Sequence, residues 1–170
     1  RWDVEDPYLY TLVTGVYRDD ELVDETRTEF GVRDIRFTAD HGFYLNDRRV
    51  QLKGVNLHHD LGPLGAAFNK RAMQRQLEIM KEMGVNALRT AHNPPAPEVL
   101  DLCDEMGLLV WQEFPIACAF LTRYPRSAAY LDLAEREGRA IVRALRNHPS
   151  VAFWCGGNEF RPGRHRELVT

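Results

Sequence analysis

Residues 83–114, MGVNALRTAHNPPAPEVLDLCDEMGLLVWQEF, decide the fold of this sequence. The segment opens with a short apolar strand, NALRT, and closes with a second one, LLVWQEF. Between them the pattern predicts a helix that begins at Pro97, a favoured first helical residue, and ends at Gly107. At helical spacing, its buried residues are predicted to be Val99, Leu102, Cys103 and Met106. The segment therefore predicts a strand, a helix and a second strand parallel to the first.

The same alternation continues on both sides of this segment. Upstream, VQLKGVN (50–56) predicts a strand, and a helix follows that Asn69 caps and that ends at Gly84. The buried stripe of this helix is predicted to be Met73, Leu77 and Met80. Downstream, a third helix is predicted over residues 131–146, with Ala134, Ile141 and Leu145 on one stripe, before a fourth strand in SVAFWCGGNEF (150–160). This βαβαβαβ order predicts a parallel α/β sheet with right-handed crossovers.

Polar residues follow every predicted strand, in the clusters NLHHD, RTAHNPP, WQEF and GGNE. A (β/α)8 TIM barrel assembles its active site from the carboxyl ends of its strands. A doubly wound nucleotide-binding sheet would need a glycine-rich phosphate turn after its first strand, and HHDLGPLG lacks that fingerprint. A barrel is therefore favoured. Because a whole barrel takes about 250 residues, the four predicted strands indicate only part of one.

The first 37 residues have a different residue pattern, which is typical of β-strands. Aromatic and β-branched residues from Tyr8 to Phe30, interrupted by RDDE, predict a β-hairpin. A lone hairpin is marginal in water, so this one is expected to pack against strands elsewhere in the protein. We place the domain boundary between residues 37 and 38. A bridging ribbon with a turn at Asn46 and Asp47 follows the boundary.

Composition excludes several classes of function. The 170 residues carry a net charge of -3, so no broad basic surface predicts a nucleic-acid or membrane-surface partner. The three cysteines suggest neither a disulfide framework nor a zinc site. No apolar run is long enough to span a bilayer, and the first residues do not read as a signal peptide. The compartment stays open, with the cytoplasm as the default.

The sharpest candidate for chemistry is the pair Asn158 and Glu159. The pair follows an apolar strand through two glycines, which let the backbone approach a ligand closely. A partly dry setting beside Trp154 would raise the pKa of the Glu159 carboxyl and suit it to general-acid catalysis. The alternative is a surface glutamate paired with one of the arginines 161, 164 and 166.

Other polar residues stand at the ends of the earlier strands. Strand alternation places His58 and Asp60 on one side and His59 on the other, whereas Arg89 and His92 end the second strand and Glu113 ends the third. Convergence of such groups favours a binding site. A metal-dependent barrel hydrolase using His58, Asp60 and His92 remains an alternative, although the alternation disfavours it.

Three segments together resemble glycoside hydrolase family 2, which includes β-galactosidases, β-glucuronidases and β-mannosidases. They are LKGVNLHHDLGPLG (52–65), the segment 83–114 quoted above and RNHPSVAFWCGGNEF (146–160). The hairpin before Gly31 resembles the end of the family's immunoglobulin-like domain, and FGVR resembles its link to the barrel. The resemblance implies the first half of a TIM barrel preceded by the end of an immunoglobulin-like β-sandwich. The segments resemble different members of the family, so they leave the sugar open.

The resemblance implies an exo-acting retaining β-glycosidase that hydrolyses terminal β-linked sugars. Glu159 corresponds to the general acid/base and Asn158 to the amide that bonds the sugar 2-hydroxyl, whereas the nucleophile lies on a later strand. The substrate-binding residues implied are Arg89, His92, His58 and Asp60, with Trp154 beside the acid. FPIACAF (114–120) lacks the Glu and His of metal-binding members, so no metal or cofactor is implied. The partner implied is a carbohydrate substrate, and a homo-oligomer is compatible with the resemblance for the full-length protein. A non-catalytic carbohydrate-binding protein remains the other alternative.

Overall fold

The computed structural model of the chain describes residues 1–117 and 127–159. Within them the strands are β1 (Tyr10–Arg18), β2 (Glu21–Phe30), β3 (Ile35–Thr38), β4 (Gly42–Leu45), β5 (Arg48–Arg49), β6 (Gly54–His58), β7 (Ala87–Ala91), β8 (Leu109–Glu113) and β9 (Val151–Cys155). The helices are a short 3₁₀ turn (Gly62–Leu64), α1 (Lys70–Glu82), α2 (Pro97–Met106) and α3 (Ala128–Leu145). The strands form a hairpin, a three-stranded ribbon and a four-stranded sheet.

The four-stranded sheet is parallel throughout, in the order β6-β7-β8-β9. Each strand lies beside the one before it in the chain, as expected when helical crossovers connect parallel neighbours. α1 and α2 cover one face and pack against Leu57, Leu88 and Val110 of the strands. Within the described residues, the outer edges of β6 and β9 have no strand partner. The sheet is therefore an open arc of four barrel strands.

The ends of α1 and α2 follow the sequence signals closely. The Asn69 side-chain oxygen accepts a hydrogen bond from the Ala72 amide at 2.9 Å, and Met73 and Leu77 form the buried face of α1. Pro97 is the first residue of α2, and Gly107 ends that helix in a left-handed conformation with φ of 69°. The predicted caps of both helices are confirmed. The predicted stripes face the core, although Met80 and Met106 are only half-buried.

Two predicted boundaries are wrong by a few residues. The first barrel strand begins at Gly54 rather than at Val50, because the backbone before it is held elsewhere: the Val50 amide bonds the Phe43 carbonyl, and the Lys53 amide bonds the Asn86 side chain. The third helix begins at Ala128 rather than at residue 131. Its start is set by Ser127, whose hydroxyl accepts a hydrogen bond from the Tyr130 amide.

The predicted stripe of α3 packs only loosely. Ala134, Ile141 and Leu145 are half-buried, and no described residue of α3 is fully buried. Leu145 packs against the core beneath the sheet, which fixes the carboxyl end of the helix. Over most of its length, α3 therefore covers the sheet less closely than α1 and α2 do.

Both predicted turns in the N-terminal third are present. Asp19 and Asp20 have positive φ angles of 47° and 67°, as the tight turn between β1 and β2 requires, and Asn46 and Asp47 repeat the pattern between β4 and β5. All nine residues of β1 are exposed. The hairpin therefore has no packing face among the described residues.

The ribbon and the first residues of the chain cover the amino-terminal end of the barrel strands. Their shared core contains Trp2, Phe43, Leu45, Val50 and Leu109, the first residue of β8. Trp2 is completely buried, and its indole N–H donates to the Asp104 carbonyl at 2.8 Å. This contact joins the N-terminal segment to the end of α2.

Asp104 ties the same region to β9. Its carboxylate accepts hydrogen bonds from the Ser150 amide at 2.9 Å and from His148 Nδ1 at 2.6 Å. Burial acts to lower the pKa of His148, but the hydrogen bond and charge of Asp104, with the charge of Asp101, outweigh it, so the pKa is raised. The cluster is a structural joint at the start of β9, at the far end of that strand from Asn158.

No helix within residues 1–117 and 127–159 combines the length and the apolar character needed to cross a bilayer.

Candidate active site

The site is built on one face of the parallel sheet. Arg89 on β7 is paired in register with Asn56 on β6, and its β8 partner stands two residues before Glu113. Because side chains alternate along a strand, these three point to the same face. Leu88 points to the opposite face, where it packs beneath the helices. The polar groups therefore lie on the face that becomes the interior of a barrel.

Glu113 is the centre of this polar network. It is fully buried, and its Oε1 accepts from Arg89 Nε at 3.0 Å and also from Arg89 Nη2. Arg89 Nη2 additionally donates to Asn158 Oδ1 at 2.7 Å, and Arg89 Nη1 donates to Asn56 Oδ1 at 3.3 Å. The arginine on β7 thus links β6, β8 and the turn that follows β9.

The two histidines predicted for the site are also close to each other. His92 Nδ1 lies 2.7 Å from Glu113 Oε2. Each oxygen of the carboxylate therefore has a nitrogen partner, Arg89 on Oε1 and His92 on Oε2. The His58 ring packs edge-to-face on the His92 ring, with centroids 5.3 Å apart. The structure therefore brings His58, Arg89, His92 and Asn158 together around Glu113.

Asn158 and Glu159 are placed by the turn that follows β9. Gly157 has a φ of 144°, which glycine adopts readily, and the Asn158 amide donates to the Ile116 carbonyl at 2.8 Å. Glu159 has a positive φ of 57°, an uncommon backbone conformation that often marks functional sites. The turn places the Asn158 side chain against Arg89 and leaves the carboxyl of Glu159 exposed.

The surroundings of Glu159 differ from the partly dry setting expected beside Trp154. Glu159 is exposed, and it has no hydrogen bond or ion pair to any residue in the ranges 1–117 and 127–159. The arginines 161, 164 and 166, its alternative partners, lie outside the described residues. Trp154 is paired in register with Gln112, on the opposite face from Glu113, and stacks on Phe114 with ring centroids 6.2 Å apart. The network around Glu113 therefore does not include Trp154.

Asp60 also stands apart from the network. β6 ends at His58, so strand alternation does not extend to Asp60. The Asp60 carboxylate instead accepts a hydrogen bond from the Gly62 amide at 2.6 Å and fixes the turn after the strand.

A metal site made of His58, Asp60 and His92 finds no support in the described part of the chain. There, the one group of three or more potential metal-ligating side chains within reach of each other is Asp101, Asp104 and His148. That group is the structural joint at the start of β9. Residues 118–120 of the FPIACAF segment lie outside the described ranges.

Sequence reasoning marked Glu113 only as a carboxylate at a strand end. A signal for its role was nevertheless available: an arginine that points into a barrel interior requires a buried carboxylate nearby, because an unpaired buried charge is strongly unfavourable. Glu113 is the strand-end carboxylate on the neighbouring strand.

The fold and these strand ends define a (β/α)-barrel protein whose polar site lies at the carboxyl ends of the strands. Residues 37–169 match the family described as "Glycosyl hydrolases family 2, TIM barrel domain", and residues 1–33 match "Glycosyl hydrolases family 2". The chain belongs to glycosyl hydrolase family 2. The predicted family and fold class are confirmed: the first half of a TIM barrel follows the end of an immunoglobulin-like β-sandwich. The boundary at residues 37 and 38 stays a prediction.

Individual relatives agree with this assignment. The β-galactosidase BoGH2A of Bacteroides ovatus is 48% identical over 159 residues, covering 93% of this chain and 19% of that protein. A family 2 member from Bacteroides cellulosilyticus superposes with a TM-score of 0.84 at 38% identity, over 98% of this chain and 22% of that one. The Parabacteroides merdae β-glucuronidase superposes with a TM-score of 0.81 at 35% identity, over 90% and 18%. The chain spans about a fifth of the length of these relatives.

Proposed function

We propose that this chain is the first half of the catalytic barrel of an exo-acting retaining β-glycosidase, which removes terminal β-linked sugars. The observation that carries the proposal is the contact of Arg89 with both Glu113 and Asn158, which fixes an amide at the barrel mouth directly before Glu159. Membership of family 2 supports the reaction class.

In the proposed reaction, Glu159 is the general acid and then the general base. It protonates the glycosidic oxygen as the aglycone leaves, and it later takes a proton from the water that hydrolyses the glycosyl-enzyme. Its exposed position directly after Asn158 supports this role, because the carboxyl can reach a substrate above the strand ends.

We place the nucleophile on a barrel strand outside this 170-residue sequence. A retaining mechanism needs a second carboxylate roughly 5–5.5 Å from the acid. Glu113 does not suit that role, because it is fully buried and both of its oxygens are bonded to Arg89 or His92. An attacking carboxylate must instead be free to reach the anomeric carbon.

For the substrate-binding residues, we assign the direct contacts with the sugar to Asn158, His92 and His58. Arg89 was expected to bind substrate, but its three guanidinium nitrogens all donate to protein oxygens, which supports a role in holding Asn158. Asp60 and Trp154 are left without an assigned contact. The homo-oligomer stays a prediction.

The names of the relatives indicate which sugars to test first. Two of them are named as a β-galactosidase and a β-glucuronidase. We therefore expect the full-length protein that carries this chain to hydrolyse 4-nitrophenyl β-galactoside or β-glucuronide, and neither matching α-glycoside. Release of nitrophenolate measures the reaction. A full-length protein that folds but cleaves no aryl β-glycoside would refute the proposed function.

A further inference from the structure

We infer that Glu113 is a positioning residue: it fixes Arg89 and His92, and through Arg89 it sets which end of the Asn158 amide faces the substrate. The inference rests on the proposed function, since the amide matters only if a sugar occupies the site. Glu113 itself touches no substrate in this account and acts through Arg89 and His92.

Burial makes the network rigid. Glu113 is 0% exposed, whereas the side chains of Arg89 and His92 are 29% and 26% exposed. Both Glu113 oxygens are engaged, Oε1 by Arg89 and Oε2 by His92 Nδ1 at 2.7 Å. Charge-assisted hydrogen bonds of this kind are strong and directional, so the carboxylate holds both partners in one geometry.

The consequence for Asn158 follows from donor and acceptor roles. A guanidinium can only donate, so the Asn158 oxygen must face Arg89 Nη2, at 2.7 Å. The Asn158 NH₂ group is thereby turned away from Arg89 and is presented as a donor. Without Glu113, the longer contact of Nη1 with Asn56 Oδ1, at 3.3 Å, would be the remaining described hydrogen bond that holds the guanidinium in the plane selecting this orientation.

A parallel consequence holds for His92. A carboxylate accepts and does not donate, so Nδ1 carries the proton in the contact with Glu113. Nε2 is then the ring nitrogen left for the substrate. One buried carboxylate therefore sets the hydrogen-bonding role of two substrate-facing groups.

Glu113→Gln in the full-length protein tests the inference. The amide keeps the size of the side chain but removes its charge and replaces one acceptor with a donor. Arg89 therefore loses its charge-assisted contact, and His92 either loses its partner or moves its proton from Nδ1 to Nε2. We expect kcat/KM on the preferred nitrophenyl β-glycoside to fall about 100-fold, the loss typical of a misplaced positioning group. On the matching 2-deoxy-glycoside, which lacks the hydroxyl assigned to Asn158, the loss should be clearly smaller, because only the part of the effect that passes through His92 remains.

The dependence of the kcat/KM loss on the 2-hydroxyl separates a positioning role from a loss of folding. An enzyme that is merely destabilised loses activity on both substrates by the same factor. Asp104→Asn is the matched control: it also converts a buried, histidine-paired carboxylate to an amide, but at the opposite end of the sheet. Asp104→Asn should lower the melting temperature and leave unchanged the ratio of the kcat/KM values on the two substrates. If Glu113→Gln does not fold, Arg89→Lys serves as the second variant, with the same comparison of the two substrates. A lysine can pair with Glu113 but lacks the second nitrogen that Arg89 uses to hold Asn158.

A crystal structure of Glu113→Gln tests the inference without any measurement of activity. We expect the contact between Arg89 Nη2 and Asn158 Oδ1 to be lost. Survival of that contact, or an equal loss on both substrates, would overturn the inference. Failure of the wild type to cleave any aryl β-glycoside would overturn the proposed function, and the crystal structure would still decide the role of Glu113.

Discussion

Glu159→Gln in the full-length protein is expected to lower kcat/KM on alkyl β-glycosides by about 10²–10⁴-fold, the contribution of a general acid. On 4-nitrophenyl β-glycosides, kcat/KM should fall far less, because nitrophenolate leaves without protonation. Its kcat should still fall, since the variant lacks the base that activates water. Azide, a nucleophile that needs no base, should restore kcat and yield a glycosyl azide.

Glu135→Gln is the control for this experiment. Glu135 is an exposed glutamate on α3 that pairs with Arg139, so the change removes the same charge away from the site. It should leave both substrates unaffected. Equal losses on alkyl and nitrophenyl substrates in Glu159→Gln, without a response to azide, would contradict the acid/base role.

The isolated chain of residues 1–170 is expected to show no glycosidase activity and no cooperative unfolding. The outer edges of β6 and β9 are unpaired in the described structure, and open parallel edges favour aggregation. Trp111 is 43% exposed on the interior face, where it stacks on Phe153 at 5.5 Å. Among residues 1–117 and 127–159, the hairpin β1–β2 likewise has no second sheet of a sandwich packed on it.

Calorimetry and analytical ultracentrifugation of residues 1–170, beside the full-length protein, measure this expectation. Helical signal in the far-UV is still expected from α1 and α2, because their buried faces pack on the strands present. A sharp and reversible transition in a soluble monomer would show that the half-barrel stands alone. Cleavage of an aryl β-glycoside by that monomer would show that the nucleophile lies within the chain.

Local signals account for the parts of the fold that the sequence predicted well. Asn69 and Pro97 start their helices, and Asp19 and Asp20 supply the left-handed turn of the hairpin. Each effect depends on a few adjacent residues and their backbone preferences, so it can be read without tertiary contacts. The strand-end clusters were equally informative, because parallel strands bring their carboxyl ends to one edge.

Features that depend on distant partners were less accessible. The first barrel strand starts late because Lys53 is held by Asn86, which lies 33 residues further along the chain. Trp154 was expected beside the acid, but its register with Gln112 puts it on the other face of the sheet. The role of Glu113 arises from contacts with Arg89 on β7 and with His92 directly after it, and strand position alone could not separate it from a nucleophile.

The anomeric form of the first product tests the central claim most directly. Proton NMR can follow hydrolysis of the preferred aryl β-glycoside by the full-length wild-type protein, before the free sugar mutarotates. Two successive displacements, with Glu159 serving both steps, predict that the β-anomer appears first. Initial release of the α-anomer would contradict the retaining mechanism and the role that Glu159 has in it.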